Sequence, residues 1–259
     1  MKIVVIGGTG LIGSKVVAML EAQGHRAIAA SPRSGVNAVT GEGLEVALGG
    51  ASVVIDVSNP LSFDDHVALE FFSRSGQNLA SAEKAAGVKH HVALSVVGTE
   101  RLQNSGYFRA KLAQEELVVS SGIPWTLVRA TQFYEFVGTI AEASTANGVT
   151  RATSAAIQPI AASDVAAKIV ELATIEPANA MIEIAGPERM PLAQLLAQYY
   201  EGVGDTRAVL SDEIAAYFGV AIDDRSLTPE LGAWTSTQTF QAWLADQLTS
   251  RSSSAERMG

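Results

Sequence analysis

The chain contains no cysteine, which excludes disulfide bonds, thiolate zinc sites and cysteine nucleophiles. Basic residues are scarce, 18 against 27 acidic ones, and the net charge of −9 argues against a nucleic-acid surface. The four histidines show no metal-ligand spacing, so no metal site is expected. No apolar run approaches the ~20 residues of a membrane span. These absences leave a small-molecule partner as the expectation, with no nucleic acid and no membrane.

The first residues, MKIVVIGGTGLIG, place a lysine before an apolar run, as secretory signals do. Four glycines interrupt the run and no small-residue cleavage site follows, so a cytoplasmic protein is expected. Apolar residues make up 47% of the chain and charged residues 17%, which is typical of a well-packed globular protein.

Short apolar runs alternate with helical stretches through the first two thirds of the chain. Six runs are predicted to be strands, and they begin at Lys2, His25, Ala51, His90, Pro124 and Met181. Continuous Val, Ile, Ala and Leu runs are typical of strands that helices cover on both faces. The pattern predicts an α/β fold, a Rossmann-type doubly wound parallel sheet with right-handed crossovers.

The alternation stops after Arg129. We expect a single domain over residues 1–250, with a core of about 1–130 and 156–186. A small, mainly helical C-terminal substrate lobe would comprise about 131–155 and 187–248, and 251–259 would be a polar tail. Phe133, Tyr134 and Phe136 could line an apolar substrate pocket, although aromatic residues at helical spacing more often belong to a core.

A glycine-rich turn joins the first strand to the first helix. VVIGGTGLIGSKVV contains Gly7, Gly10 and Gly13 in a G-x-x-G-x-x-G spacing, directly after an apolar strand and at the start of a helix. That context predicts a dinucleotide pyrophosphate site, in which glycines permit close approach and the helix N-terminus binds phosphate. Thr9, Leu11 and Ile12 complete the predicted turn.

The second strand indicates which dinucleotide binds. An NAD site usually carries an acidic residue about 20 positions after the glycines, to bind the ribose hydroxyls. This chain has Ser31, Arg33 and Ser34 there and no carboxylate, a set suited to a 2′-phosphate. NADP(H) is therefore favoured over NAD(H). Val57, Ser58 and Asn59, which follow the third strand, are expected beside the adenosine half of the cofactor.

The segment GYFRAKLAQEE places Tyr107 and Lys111 four residues apart, on one face of a predicted helix. Together with GGTGLIG and with Ser95 at the end of the fourth strand, this pair resembles the short-chain dehydrogenase/reductase superfamily. More narrowly, the chain is similar to its atypical, NmrA-like or NAD(P)H-binding branch. Segments from Asn78, around Arg129 and from Pro159 extend the resemblance over about residues 1–185.

The resemblance implies roles for three residues. Tyr107 would be the general acid/base, Lys111 would bind the nicotinamide ribose and lower the pKa of the tyrosine, and Ser95 would hydrogen-bond the substrate oxygen. The asparagine that many active members carry on the preceding long helix is not found. Lys111 could instead pair with Glu115, a contact worth at most ~0.5 kcal/mol.

The expected function is an NADPH-dependent oxidoreductase that reduces a carbonyl or quinone-like group of an apolar small molecule. One alternative is an NADP(H)-binding sensor or regulatory protein of the NmrA type that does not turn the cofactor over. A weaker one is an epimerase- or dehydratase-like enzyme. The chain is expected to be a monomer or a homodimer.

Five further polar residues receive mainly structural interpretations. Asp56, within an apolar strand, is either a cofactor contact or a satisfied structural carboxylate. Arg129 is expected to make a structural hydrogen bond, and His66 to lie in a solvated loop. Ser163 or Asp164 is expected to cap a helix.

Overall fold

The computed structural model describes residues 1–256. Twelve strands are present in that part of the chain: β1 Lys2–Ile6, β2 Arg26–Ala30, β3 Val53–Asp56, β4 His90–Val96, β5 Trp125–Ala130, β6 Thr145–Ala146, β7 Val149–Ala152, β8 Ala156–Ile157, β9 Ala180–Ala185, β10 Met190–Pro191, β11 Val209–Ser211 and β12 Trp234–Thr235.

The helices of the same part of the chain are α1 Leu11–Ala22, α2 Leu44–Leu48, α3 Asp65–Ala86, α4 Gly106–Ser120, α5 Val137–Ala143, α6 Ala162–Ala173, α7 Leu192–Val203 and α8 Phe240–Glu256. None of them combines the length with the apolar character that a membrane crossing requires.

The main sheet has seven strands in the order β12-β9-β5-β4-β3-β1-β2. β1 pairs in parallel with both β2 and β3, and β3 with β4 and β4 with β5 are parallel as well. The six predicted strands are therefore confirmed, as is the doubly wound α/β fold. Because the chain leaves β1 for β2 on one side and returns to β3 on the other, the strand order reverses at β1. In open α/β sheets, ligands bind beyond the carboxyl ends of the strands at such a point.

The sequence explains why these strands are central. β3, with the sequence VVID, is buried along its whole length, and the last four residues of β1 are buried too. α3 shows how a covering helix is delimited: Asp64 accepts hydrogen bonds from the backbone N–H groups of His66 and Val67, and Gly87 ends the helix in the left-handed conformation.

The chain divides into two compact units. The first comprises Met1–Ala130 and Ser163–Glu183; the second comprises Thr131–Ala162 and the chain from Ile184 onward. The single-domain organisation expected from the sequence stays a prediction. The second unit contains α5, α7 and α8, but it also holds a three-stranded sheet, β11-β7-β6, and a two-stranded one, β10-β8.

Several expectations need correction, and two of them concern the second unit. Residues 205–239 were expected to be helical; they are mostly irregular with short strands, because glycines, prolines and aspartates favour turns there. His66 lies in the first turn of α3 rather than in a loop, since Asp64 starts that helix. α8 continues to Glu256, beyond the predicted start of a polar tail at residue 251, and 257–259 lie outside the described residues.

Neither Ser163 nor Asp164 precedes α6, as a capping residue would. Both lie inside its first turn, and the backbone N–H of Ala162 donates instead to the Glu135 carboxylate, at 3.1 Å and 3.3 Å from its two oxygens. A carboxylate at a helix N-terminus binds an otherwise unpaired N–H group and interacts favourably with the helix dipole. The cap comes from a residue distant in sequence, which local patterns do not reveal.

Candidate active site

The turn between β1 and α1 approaches other backbone so closely that some of its positions accept only glycine. Gly7 has a φ of +78°, and a Cβ placed on it would lie 2.9 Å from the backbone of Ser58. A Cβ on Gly13 would come within 2.2 Å of the Gly7 carbonyl oxygen. Such approaches accommodate only glycine. The turn therefore brings the start of α1, with its unpaired backbone N–H groups, close to the carboxyl ends of β1 and β3.

The other residues predicted for this turn differ in exposure. Gly10 immediately precedes α1, and its N–H donates to the Gly7 carbonyl at 2.9 Å. Thr9 and Leu11 are exposed, whereas the Ile12 side chain is buried in the core. Ile12 can therefore meet a ligand only through its backbone.

The loop after β2 contains one unsatisfied hydroxyl. Ser34 Oγ donates to the Ala29 carbonyl at 2.8 Å and accepts from the Ser31 N–H at 2.9 Å, so it holds the loop in shape. The Ser31 hydroxyl is buried with no hydrogen-bond partner, and Arg33 is exposed and unpaired among the described residues. Because buried polar groups are normally hydrogen-bonded, Ser31 Oγ and the Arg33 guanidinium are available to a bound oxyanion.

Asp56 ends β3 and is only 2% exposed. Its Oδ1 accepts from the N–H and the hydroxyl of Ser58, at 3.0 Å and 2.6 Å, and its Oδ2 accepts from Gln114 Nε2 at 2.9 Å. Asp56 is thus a satisfied structural carboxylate, one of the two interpretations that the sequence left open. The next residue, Val57, donates its N–H to the Ile6 carbonyl at 3.0 Å.

Tyr107 lies in the first turn of α4, half-buried among aromatic rings. Its ring centroid is 5.1 Å from that of Phe63, 5.8 Å from that of Phe108 and 6.3 Å from that of Phe72, all edge-on. Its hydroxyl donates to Asn59 Oδ1 at 3.1 Å. Burial raises the pKa of the phenol well above its ordinary value, and the hydrogen bond with Asn59 opposes that rise. The phenol is therefore protonated at neutral pH, and its pKa is raised rather than lowered as the resemblance to the superfamily implied.

Lys111 is oriented differently from Tyr107, although both lie on α4. Its ammonium donates to the Leu94 carbonyl at 2.7 Å and to Gln114 Oε1, and it lies 4.5 Å from the centroid of the Phe72 ring. No hydrogen bond joins it to Tyr107 within residues 1–256. The ammonium is thus held in the interior, between α4 and β4.

The surroundings of Lys111 bring its proton equilibrium close to neutral pH. Burial lowers the pKa of Lys111 to about 8, while the carboxylates of Asp56 and Glu115 act in the opposite direction. A buried amine of this kind changes its charge within the pH range in which enzymes work.

Ser95, the third predicted catalytic residue, belongs to another cluster. Its hydroxyl donates to Glu115 Oε1 at 2.5 Å, and Glu115 in turn binds Arg129. The predicted structural role of Arg129 is confirmed. The structure therefore gives Tyr107, Lys111 and Ser95 separate hydrogen-bond partners and does not join them in one network.

Three polar residues make contacts with the predicted trio that the sequence did not reveal. Gln114 joins Asp56 to Lys111, Glu115 joins Ser95 to an arginine, and Asn59 accepts from the tyrosine. A signal for the first two was present, since Gln114 and Glu115 lie three and four residues after Lys111 and so share its buried helix face. Asn59 lies 48 positions before its partner in sequence, a distance that local patterns do not bridge.

The predicted aromatic cluster of the second unit is divided between two environments. Tyr134 is a core residue, 1% exposed, and packs against Phe240 and Trp243. Phe133 and Phe136 stack on each other with centroids 5.7 Å apart, and Phe136 is 48% exposed. Only these two remain candidates for an apolar pocket.

A family model described as NAD(P)H-binding matches residues 7–176, from the glycine turn to the segment after α6. The match includes Ser31, Arg33, Ser95, Tyr107 and Lys111. It confirms the predicted resemblance to the NAD(P)H-binding branch.

A curated relative from Streptomyces griseus subsp. griseus, (4-alkanoyl-5-oxo-2,5-dihydrofuran-3-yl)methyl phosphate reductase, is 30% identical over 219 residues. The aligned region covers 78% of this chain and 74% of the relative. The two chains therefore correspond over most of their length.

Two solved structures have the same fold at low sequence identity. A dTDP-4-dehydrorhamnose reductase from Bacillus anthracis, in complex with NADP, is 13% identical with a TM-score of 0.76, covering 96% of this chain and 99% of that one. An NADPH-dependent quinone oxidoreductase from Escherichia coli is 20% identical with a TM-score of 0.69, covering 95% and 99%. At these identities the likeness is one of fold.

Proposed function

The chain belongs to the NAD(P)H-binding family and is an NAD(P)-dependent oxidoreductase of the reductase type; from that premise, we propose that it uses NADPH to reduce a carbonyl or quinone-like group of an apolar small molecule. Tyr107 would be the general acid.

One structural relationship carries this proposal. Asn59, which accepts the hydrogen bond of the Tyr107 hydroxyl, directly follows Ser58, whose backbone closes on the Gly7 turn. A protonated phenol therefore lies at the edge of the sheet where the turn can bind a pyrophosphate. An acid beside a dinucleotide site is what carbonyl reduction requires.

The preference for NADPH rests on the loop after β2. A 2′-phosphate would supply the oxygen acceptors that the buried Ser31 hydroxyl and the exposed Arg33 guanidinium lack. An arginine can bind a phosphate through two parallel charge-assisted hydrogen bonds. Ser34 contributes indirectly, because its hydroxyl already holds the loop together.

The dinucleotide supplies the hydride when it is bound. Tyr107 transfers its proton to the acceptor oxygen, so that hydride and proton together reduce the carbonyl or quinone by two electrons, and the phenolate regains a proton from water. The surrounding rings of Phe63, Phe72 and Phe108 hold the phenol in place and limit the access of water.

The proposed acceptor class has two supports. The exposed ring of Phe63, whose centroid lies 5.1 Å from that of Tyr107, would favour an apolar molecule. The name of the Streptomyces relative describes a substrate with alkanoyl and oxo groups on a dihydrofuran ring, which is a carbonyl compound with an apolar chain.

The test begins with titration of NADPH and NADH into the protein, followed by nicotinamide fluorescence, and is repeated with Arg33→Ala. We expect Arg33→Ala to weaken NADPH binding about tenfold or more and to leave NADH binding unchanged, since one charge-assisted contact is lost. Menadione and phenanthrenequinone then serve as acceptors, with Tyr107→Phe as the control. Equal effects of Arg33→Ala on both dinucleotides would contradict the NADPH assignment.

A second candidate function is a dinucleotide-binding sensor without turnover. It is favoured by the internal hydrogen bonds of Lys111 and Ser95, which occupy both side chains away from Tyr107. The two functions differ in outcome: a sensor binds NADPH tightly and reduces neither quinone, and Tyr107→Phe then changes nothing.

A further inference from the structure

Tyr107 has one polar partner in the described part of the chain, the amide of Asn59. It packs otherwise against aromatic rings and alanines, which cannot stabilise a phenolate. Lys111, the cation that the resemblance assigns to this tyrosine, is engaged elsewhere, because its ammonium donates to Leu94 and Gln114. A phenol that gives up its proton at this site therefore needs Asn59.

The backbone holds Asn59 in position from both sides. On one side, Ser58 is fixed by two hydrogen bonds to Asp56 Oδ1. On the other side, the buried Pro60 restricts Asn59 to extended backbone conformations. Asn59 itself is exposed, and its Nδ2 has no partner among the described residues. The main chain of Asn59 is thus fixed, while its side-chain amide can still rotate.

An amide can serve both forms of a phenol. Its oxygen accepts a hydrogen bond from the neutral hydroxyl, as observed, and its nitrogen donates to the phenolate after rotation of the side chain. The rotation breaks no other hydrogen bond of Asn59 in this structure. A carboxylate of the same size can only accept, and it would repel the phenolate.

We propose that Asn59 is the positioning residue of the proton transfer: its amide holds the Tyr107 hydroxyl and, turned over, donates to the phenolate that remains when the proton has passed to the acceptor. This inference rests on the proposed function, since it presupposes that Tyr107 is the acid. Many active members of the superfamily carry an asparagine on the long helix that corresponds to α3, and that asparagine is not found here. Asn59, in the loop after β3, takes its role.

The first test does not depend on turnover. A fluorinated tyrosine, more acidic than tyrosine itself, replaces Tyr107, and its ionisation is followed by fluorine NMR. We expect Asn59→Ala to raise the apparent pKa of this phenol and Asn59→Asp to raise it further. Asn104→Ala, at an exposed asparagine outside the site, is the matched control and should leave it unchanged.

The order of the two variants separates this role from a structural one. If Asn59 only braces the ring, the isosteric Asn59→Asp is the milder change. If it stabilises the phenolate, Asn59→Asp is the more damaging, with kcat for menadione falling about tenfold in Asn59→Ala and further in Asn59→Asp. An unchanged phenol pKa in Asn59→Ala, or a milder effect of Asn59→Asp, would overturn the inference.

A double-mutant cycle completes the experiment, because Asn59→Ala should have no further effect on kcat once Tyr107→Phe is present. Failure of the proposed function looks different: menadione reduction then survives Tyr107→Phe alone. If Tyr107→Phe abolishes the reaction and Asn59→Ala leaves it intact, the acid is correct and only the role of Asn59 is refuted.

Discussion

The Arg129 guanidinium binds the Glu115 carboxylate through two parallel hydrogen bonds, Nε to Oε1 at 2.9 Å and Nη2 to Oε2 at 2.7 Å. Both side chains are buried, at 7% and 3% exposed, and Ser95 donates to the same carboxylate. The pair joins β5 to α4, so the helix that carries Tyr107 and Lys111 is fixed to the sheet by an ion pair as well as by apolar packing.

Removing one partner of this pair should destabilise the fold strongly. Arg129→Leu leaves Glu115 buried without its counter-charge, and we expect the free energy of unfolding to fall by about 3–5 kcal/mol. Urea unfolding followed by circular dichroism measures it. Arg74→Leu is the control, because its partner Glu70 lies 3.3 Å away on an exposed helix face and the pair is worth at most ~0.5 kcal/mol. Equal losses in the two variants would refute this account.

Gly13→Ala should abolish dinucleotide binding. The added methyl would lie 2.2 Å from the Gly7 carbonyl oxygen and 2.7 Å from the Cα of Gly8, so the turn must open. Gly49→Ala is the matched control, since its Cβ would meet the nearest atom at an ordinary 3.5 Å. Fluorescence titration with NADPH should show no binding for the first variant and wild-type affinity for the second. Retained binding in Gly13→Ala would show that the turn can relax.

Lys111 should make stability rise with pH in the alkaline range. Its folded-state pKa of about 8 lies below the ordinary 10.5, so between these values the unfolded chain binds more protons than the folded one. The cost of burying the ammonium, about 3 kcal/mol, is complete below pH 8 and is relieved as the pH rises toward 10.5. Unfolding free energies of wild type and Lys111→Met across this window should differ in slope. Parallel curves would show that the pKa of Lys111 is not lowered in the folded protein.

His91 should have the opposite effect near neutral pH. Burial acts to lower the pKa of His91, but the charge of Glu83 and its 2.7 Å hydrogen bond, helped by Asp56, outweigh burial and raise it. Stabilisation by the charged pair is therefore complete below pH ~6.5 and is lost as the pH rises through the higher folded-state value. In urea unfolding at a series of pH values, the loss of unfolding free energy caused by His91→Gln should shrink along that rise, and a loss that stays constant with pH would refute this account.

Local patterns were sufficient for much of this molecule because the interactions behind them are local. A buried parallel strand needs a continuous apolar run, and the strands that contain Asp56 and Arg129 each have one. The glycine turn could also be recognised in the sequence, because Gly7 and Gly13 lie so close to other backbone atoms that no other residue fits. The cap of α6 by Glu135 and the extension of α8 could not be predicted from the sequence, since neither follows from neighbouring residues.

The sequence by itself determined the α/β fold, the glycine turn proposed to bind a dinucleotide and the presence of Tyr107, Lys111 and Ser95 on adjoining elements. Only the tertiary structure decided which partners they have: Asn59 for the phenol, Leu94 and Gln114 for the ammonium, Glu115 for the serine hydroxyl. The physical reason is that periodicity specifies the face on which a side chain lies. A hydrogen bond depends in addition on the position of an atom from a distant segment, and packing alone sets that position.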